Sequence, residues 1–195
     1  MIRTLAVTLA LATTLPALAQ DAPPEMSPEE AAMMQAYQQA GTPGPQHAGL
    51  AKTAGTYDLA IKSWMDPDAP PTSETGTAAR SMILGDRVLT EKVEATMHGQ
   101  PFTGHGMTGY DNVTGKYWST WNDSMSTGLM VSEGTCDDAG ACSFTGSWHD
   151  PVSKQEVSAR MTTHWTSPTV EVFEMYGPGP DGKEHKMMEM TYTRR

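Results

Sequence analysis

The sequence predicts an all-β protein: an antiparallel up-and-down barrel of about ten strands, behind a short N-terminal helical segment. Three observations carry this. Glycine and proline number 18 and 14 among 195 residues, more punctuation than a helical bundle tolerates. From Thr56 onward, turn-rich breaks fall at 66–71, 85–86, 98–101, 111–115, 122–126, 137–141, 150–153, 166–168 and 177–182. They separate ten strand-like runs. The links are short, so neighbours in sequence pair antiparallel. Ten such strands close into a barrel and leave no exposed edge. A two-sheet sandwich is the alternative architecture.

Residues 1–19 read as a secretory signal peptide. Arg3 supplies the positive start, Thr4 to Leu15 are largely apolar, and Ala17-Leu18-Ala19 gives the small-x-small cleavage pattern. The apolar stretch is too short for a bilayer about 30 Å thick. Gln20, not cysteine, follows the cleavage point, which argues against a lipoprotein. The expected destination is the periplasm or the medium of a Gram-negative cell, with no membrane insertion once the signal is removed. Residues 20–44 form a polar tether and a short helix. Ser27 caps that helix, Pro28 suits its first turn, Glu30 completes a capping box, and Gly41 with Pro43 stops it. A second helical piece, Pro45 to Thr53, leads into the single barrel domain, residues 45–195.

Cys136 and Cys142 flank the turn-like Asp137-Asp138-Ala139-Gly140-Ala141 at the edges of two strand-like runs. A hairpin sets them opposite each other, and an oxidising compartment closes the bond. Their spacing is not that of a C-x-x-C redox motif, and the chain has 2 cysteines in all, too few for a thiolate metal site.

Strand parity locates the inward charges. In the run Leu89 to Met97 the apolar face carries Leu89, Val93, Ala95 and Met97, and Glu91 falls on that same face. Arg80 shares a face with Met82 and Leu84, and Glu174 with Val170, Val172 and Tyr176. Inward charges are costly unless paired or wetted. The lumen of a ten-stranded barrel has room for water and a ligand, where Arg80, Glu91 and Glu174 pair or Arg80 holds a ligand carboxylate.

Several stretches together resemble a mostly bacterial, often exported family catalogued as domain of unknown function 1579. They are His47 through Tyr57, Met82 through Arg87, Gly99 through Phe102, Thr108 through Asn112, Ser119 through Gly128 and Phe173 through Glu184. The resemblance spans Gln46 to the C-terminus. It implies a compact β-barrel-like domain and no established activity, so no functional residue is carried over. Tyr57 stands where such proteins usually have tryptophan, and the cysteine pair departs from the pattern. Gly55-Thr56-Tyr57 also resembles the Gly-x-Trp opening of lipocalin-type barrels, which implies a calycin-like architecture with the aromatic over the closed end.

The function expected is non-catalytic binding of a small, partly apolar molecule in the lumen. Candidate ligand-binding residues are Arg80, Glu91, His105, Tyr110, Trp121, Asp123 and Glu174; no catalytic residue, metal ligand or resident cofactor is assigned. Trp121 and Asp123 open a polar, aromatic loop running to Gly128, whose plainer reading is a turn that satisfies its own backbone. His105 is the residue a haem-binding barrel would use. With 23 acidic against 13 basic residues, nucleic acid and anionic membrane are unsuitable partners. Two rival functions remain open, beside a surface-interaction module with a filled, inert core. Fifteen methionines, densest at Met187-Met188-x-Met190 near His185, suit soft metals such as Cu(I), although regular strand alternation splits that cluster between two faces. Inward carboxylates also suit an enzyme. The oligomeric state is not legible.

Overall fold

The computed structural model describes residues 26–179 and 182–195; the expected signal peptide and most of the tether lie outside them. Helix α1 (Pro28–Gly41) begins at a capping box. The Ser27 hydroxyl accepts the Glu30 amide at 3.2 Å, and Glu30 Oε2 accepts the Ser27 amide at 2.8 Å. No residue of α1 is buried, and Met33, Met34 and Tyr37 face solvent. Arg87 and Asn112 hold its C-terminal end by donating to the carbonyls of Gly41 and Thr42. Helix α2 (Pro45–Lys52) starts where His47 Nδ1 accepts the Gly44 amide at 3.0 Å. The His47 ring is buried edge-on against Tyr110.

Ten strands follow: β1 (Gly55–Ser63), β2 (Thr72–Ile83), β3 (Val88–Met97), β4 (Gln100–Asp111) and β5 (Lys116–Asp123), then β6 (Met130–Cys136), β7 (Cys142–His149), β8 (Glu156–Ser167), β9 (Val170–Pro178) and β10 (Glu184–Arg194). Each pairs antiparallel with its neighbours in sequence, and β10 returns to β1 to close an up-and-down barrel. Closure runs from Tyr57 opposite Arg194 to Ser63 opposite Met188. The sandwich is excluded. Turn chemistry sets the register: His98 and Gly99 both take positive φ, 50° and 75°, as a two-residue type I′ hairpin requires. Pro101 lies inside β4, opposite Thr96.

Inward positions alternate along every strand. Tyr57, Leu59, Ile61, Ala78, Val93, Met97 and Tyr192 form one buried cluster inside the barrel. The sequence departs from strict alternation at two places, where pairing shifts between Lys186 and Met188 and between Trp165 and Ser167. Cys136 and Cys142 face each other across the β6–β7 hairpin and are disulfide-bonded. A loop this short gains about 2 kcal/mol from the crosslink on the chain-entropy account.

Candidate functional site

The barrel encloses a cavity of about 900 Å³, at the upper end of ordinary ligand-binding sizes. Its walls are mainly apolar and aromatic. Loop residues reach the lining at the end that carries the helices, where α2 stands on one side and the β6–β7 and β8–β9 links on the other. That end bears the mouth. Tyr57 sits there too, with its hydroxyl donating to the Thr53 carbonyl at 2.6 Å. Arg194 backs it, donating to the carbonyls of Lys52 and Ala54 with its guanidinium 5.1 Å from the Tyr57 ring. The lipocalin analogy therefore holds for the aromatic and differs in the opening, which lies beside that aromatic.

Three charges stand in the wall. Arg80 on β2 donates through Nε to Glu91 Oε1 at 2.7 Å and through a terminal nitrogen to Glu171 Oε2 at 2.5 Å. Its guanidinium lies 5.0 Å from the Tyr57 ring centre and 4.4 Å from that of Tyr192. Burial alone would pull the Arg80 pKa down, but the two carboxylates outweigh it and hold the guanidinium well above its ordinary value. Burial pushes the Tyr192 hydroxyl far upward, so the phenol stays neutral beside these charges. Ion, ring and carboxylate positions are thus fixed by one another.

Next to Glu91, β4 presents glycine at 104 and 106, between the inward side chains of Phe102, Thr108 and Tyr110. The Trp121 indole from β5 lies over that bare stretch. A Cβ at Gly104 would come within 2.2 Å of Trp121 Cζ2, and one at Gly106 within 3.2 Å of Cε3. Asp123 holds the ring in place by accepting its Nε1–H at 3.0 Å. Further round the wall, Tyr110 meets Tyr117 at 4.9 Å between ring centres, and Tyr117 meets Phe144 at 6.5 Å, both edge-on.

Of the seven residues singled out from the sequence, Arg80, Glu91, Tyr110 and Trp121 line the cavity. Asp123 acts behind Trp121. The loop beyond it satisfies itself: Ser126 Oγ accepts the Gly128 amide and Asn122 donates to the Gly128 carbonyl. His105 does not face inward. It is exposed on the outer wall with Met107, because the inner face of β4 is the one carrying Phe102, Gly104, Gly106, Thr108 and Tyr110, whose central glycines weaken its apolar signature. No histidine is among the described residues that line the cavity, which removes the haem candidate.

Glu174 is likewise outside, bonded to Lys186, which also reaches Glu189 at 2.8 Å. Strand parity misplaces Glu174 because both faces of β9 are partly apolar: Phe173 and Met175 fill the lumen while Val170 and Val172 cover the outer wall. The inward carboxylate of β9 is Glu171, 5% exposed. Its signal was present in the alternation Glu171, Phe173, Met175, whose bulk suits a core better than valine does. Arg80 is also unsuited to a ligand carboxylate, since two protein carboxylates already engage it.

The outer network has a pH consequence. The Lys186 ammonium holds the Glu174 and Glu189 carboxyls below their ordinary value of 4.5. Below that pH the unfolded chain binds more protons than the folded one. The stabilisation is therefore whole above 4.5 and is lost as pH falls through the lowered folded values. Lys186→Met should weaken the protein at pH 7 and flatten its loss of stability below pH 4.5, read as urea midpoints across that range. An acid limb as steep as wild type would refute this assignment.

The β10 bulge alters the methionine cluster. His185 pairs with Gly177 and Met188 with Met175, so the register break puts His185, Met188 and Met190 on one side of the sheet. Alternation had divided them. Met187 Sδ occupies the space that a Cβ at Gly177 would fill, 2.3 Å away. His185 Nδ1 is buried with no hydrogen-bond partner. Among the described residues no group of three or more His, Cys, Asp or Glu is placed to hold a metal ion.

Fold and cavity together define a small, closed β-barrel with an internal chamber opening at its helical end. The chain belongs to the family described as "Protein of unknown function (DUF1579)", whose pattern it matches over residues 42–194. Among solved structures it is similar to Rv2717c from M. tuberculosis, at 12% identity and a TM-score of 0.59, covering 79% of this chain and 99% of that one. That likeness shows the fold. A redesigned β-barrel is 14% identical with a TM-score of 0.41, over 75% of this chain and 95% of its own. No curated protein matches the chain significantly.

Proposed function

We propose that this protein, exported to the periplasm or beyond, binds a small, partly apolar molecule in its lumen without transforming it. The cavity carries the reading: about 900 Å³ behind a loop-built mouth, walled by aromatic and methionine side chains. Methionine adapts to varied apolar shapes. The chemistry of the two inward carboxylates supports binding over catalysis, because Arg80 bonds both and so opposes the proton exchange a general acid or base needs.

The test is native against denaturing mass spectrometry on protein from the exported fraction, followed by titration of the stripped protein with N-phenyl-1-naphthylamine, a neutral fluorescent probe. An organic mass lost on denaturation, or saturable one-to-one uptake of the probe, is expected. Absence of both would sink the reading. The unpartnered His185 nitrogen, on the same side of the sheet as Met188 and Met190, favours soft-metal handling as a second reading. A silver(I)-dependent rise in melting temperature, lost in Met188→Leu and with no probe uptake, would put that reading first.

A further inference from the structure

Within that ligand-binding reading, the wall of the cavity also selects the ligand's polar end. Arg80 engages one oxygen of each carboxylate, Glu91 Oε1 and Glu171 Oε2. Two negative charges therefore share one guanidinium, and the second oxygen of each acid keeps its accepting capacity. Two other cations line the cavity: Lys52 at the end of α2, and Arg194, whose guanidinium is spent on the Lys52 and Ala54 carbonyls at that C-terminal end, where a helix is partly negative. Arg194 does not serve Glu91, which stands on β3 between Arg80 and Gly106.

The two acids differ in access. The Glu91 side chain is 18% exposed, into the cavity, against 7% for Glu171 and 9% for Arg80. Arg80 lies against the Tyr57 and Tyr192 rings and is half as exposed as Glu91, 9% against 18%, so the positive member of the trio is the more covered of the two. Beside Glu91, its cross-strand partner Gly106 has no side chain and is covered by the Trp121 indole. A carboxylate oxygen next to an aromatic ring is a setting for a nitrogen cation: the acid takes its N–H, and the ring quadrupole attracts its charge. The chain's formal net charge of −10 draws cations toward the mouth and repels anions.

We propose that the ligand is an amphipathic amine, an apolar body ending in a protonated nitrogen that donates to Glu91 beside Trp121. A fatty acid or other carboxylate would meet Glu91 and Glu171 head-on.

Three probes of equal chain length separate the cases: octylamine, octanol and octanoate, each displacing N-phenyl-1-naphthylamine from the stripped protein at pH 7. Octylamine should displace the dye at a concentration about ten-fold lower than octanol, as one charge-assisted hydrogen bond supplies, with octanoate weakest. Glu91→Gln should bring octylamine level with octanol, both read on the same variant. The rank order on the wild-type chain holds independently of whether that variant folds. Octanoate binding as well as octylamine, or all three binding alike, would overturn the amine assignment and leave an apolar binder. Failure of the dye itself to enter the wild-type barrel would instead remove the ligand-binding reading beneath it.

Discussion

Arg80→Met should cost this barrel about 3–5 kcal/mol, the usual penalty for removing one partner of a buried ion pair. The reason is what remains. Glu91 and Glu171 would share a wall with no cation between them, under two tyrosine rings and with Glu171 5% exposed. For a domain whose whole stability is of order 5–15 kcal/mol, the melting temperature should fall by roughly 10 °C. Adding Glu91→Gln and Glu171→Gln to Arg80→Met should recover most of the loss, because the fault is unpaired charge and not missing volume. Urea and thermal midpoints of the single and triple variants decide it. A triple variant no more stable than the single one would show that Arg80 matters for its packing on Tyr57 and Tyr192.

Gly104→Val should be almost as severe and should act on the cavity directly. A Cβ there has Trp121 Cζ2 at 2.2 Å and Cη2 at 2.5 Å. These are atoms of a rigid ring that Asp123 already holds. The indole must leave the β4 wall and swing into the lumen. Overpacking of this kind costs about 1–3 kcal/mol. The displaced ring fills space the ligand would occupy, so uptake of N-phenyl-1-naphthylamine should weaken by ten-fold or more, on the order of 1.4 kcal/mol in binding. Fluorescence titration of the folded variant checks it. Unchanged uptake would mean that the ligand space lies elsewhere in the barrel, away from Trp121.

The architecture was legible because turns are chemical. Each of the nine links carries residues such as Gly, Asn, Asp or Pro whose backbone or side-chain preferences end a strand, and counting them yields ten strands. The helix start was legible for the same reason, since the Ser27–Glu30 capping box is local. The charged wall was half legible. Regular alternation placed Arg80 and Glu91 correctly on β2 and β3, where one face is plainly apolar. It fails for His105 on β4, where the middle of the inner face is Gly104 and Gly106 because Trp121 needs the room. It failed on β9, where valines outside and Phe173 inside present two apolar faces. The β10 bulge reversed the split of His185 from Met188, and such an insertion leaves no mark in residue type. In each case a partner on another strand decides the outcome, and that partner is invisible to a single strand's pattern.

Barrel closure joins the beginning of the domain to its end. Arg195 donates to the Thr56 carbonyl at 3.0 Å and pairs with Asp58, a contact spanning 137 residues. Because β1 pairs with both β2 and β10, the first strand has one neighbour within reach during synthesis and must wait for the other until the last residues emerge. A contact of such long range folds slowly. A chain made N-terminus first therefore cannot close its barrel until the final strand arrives beside the first. The seam that completes the barrel is thus the last contact the chain can make.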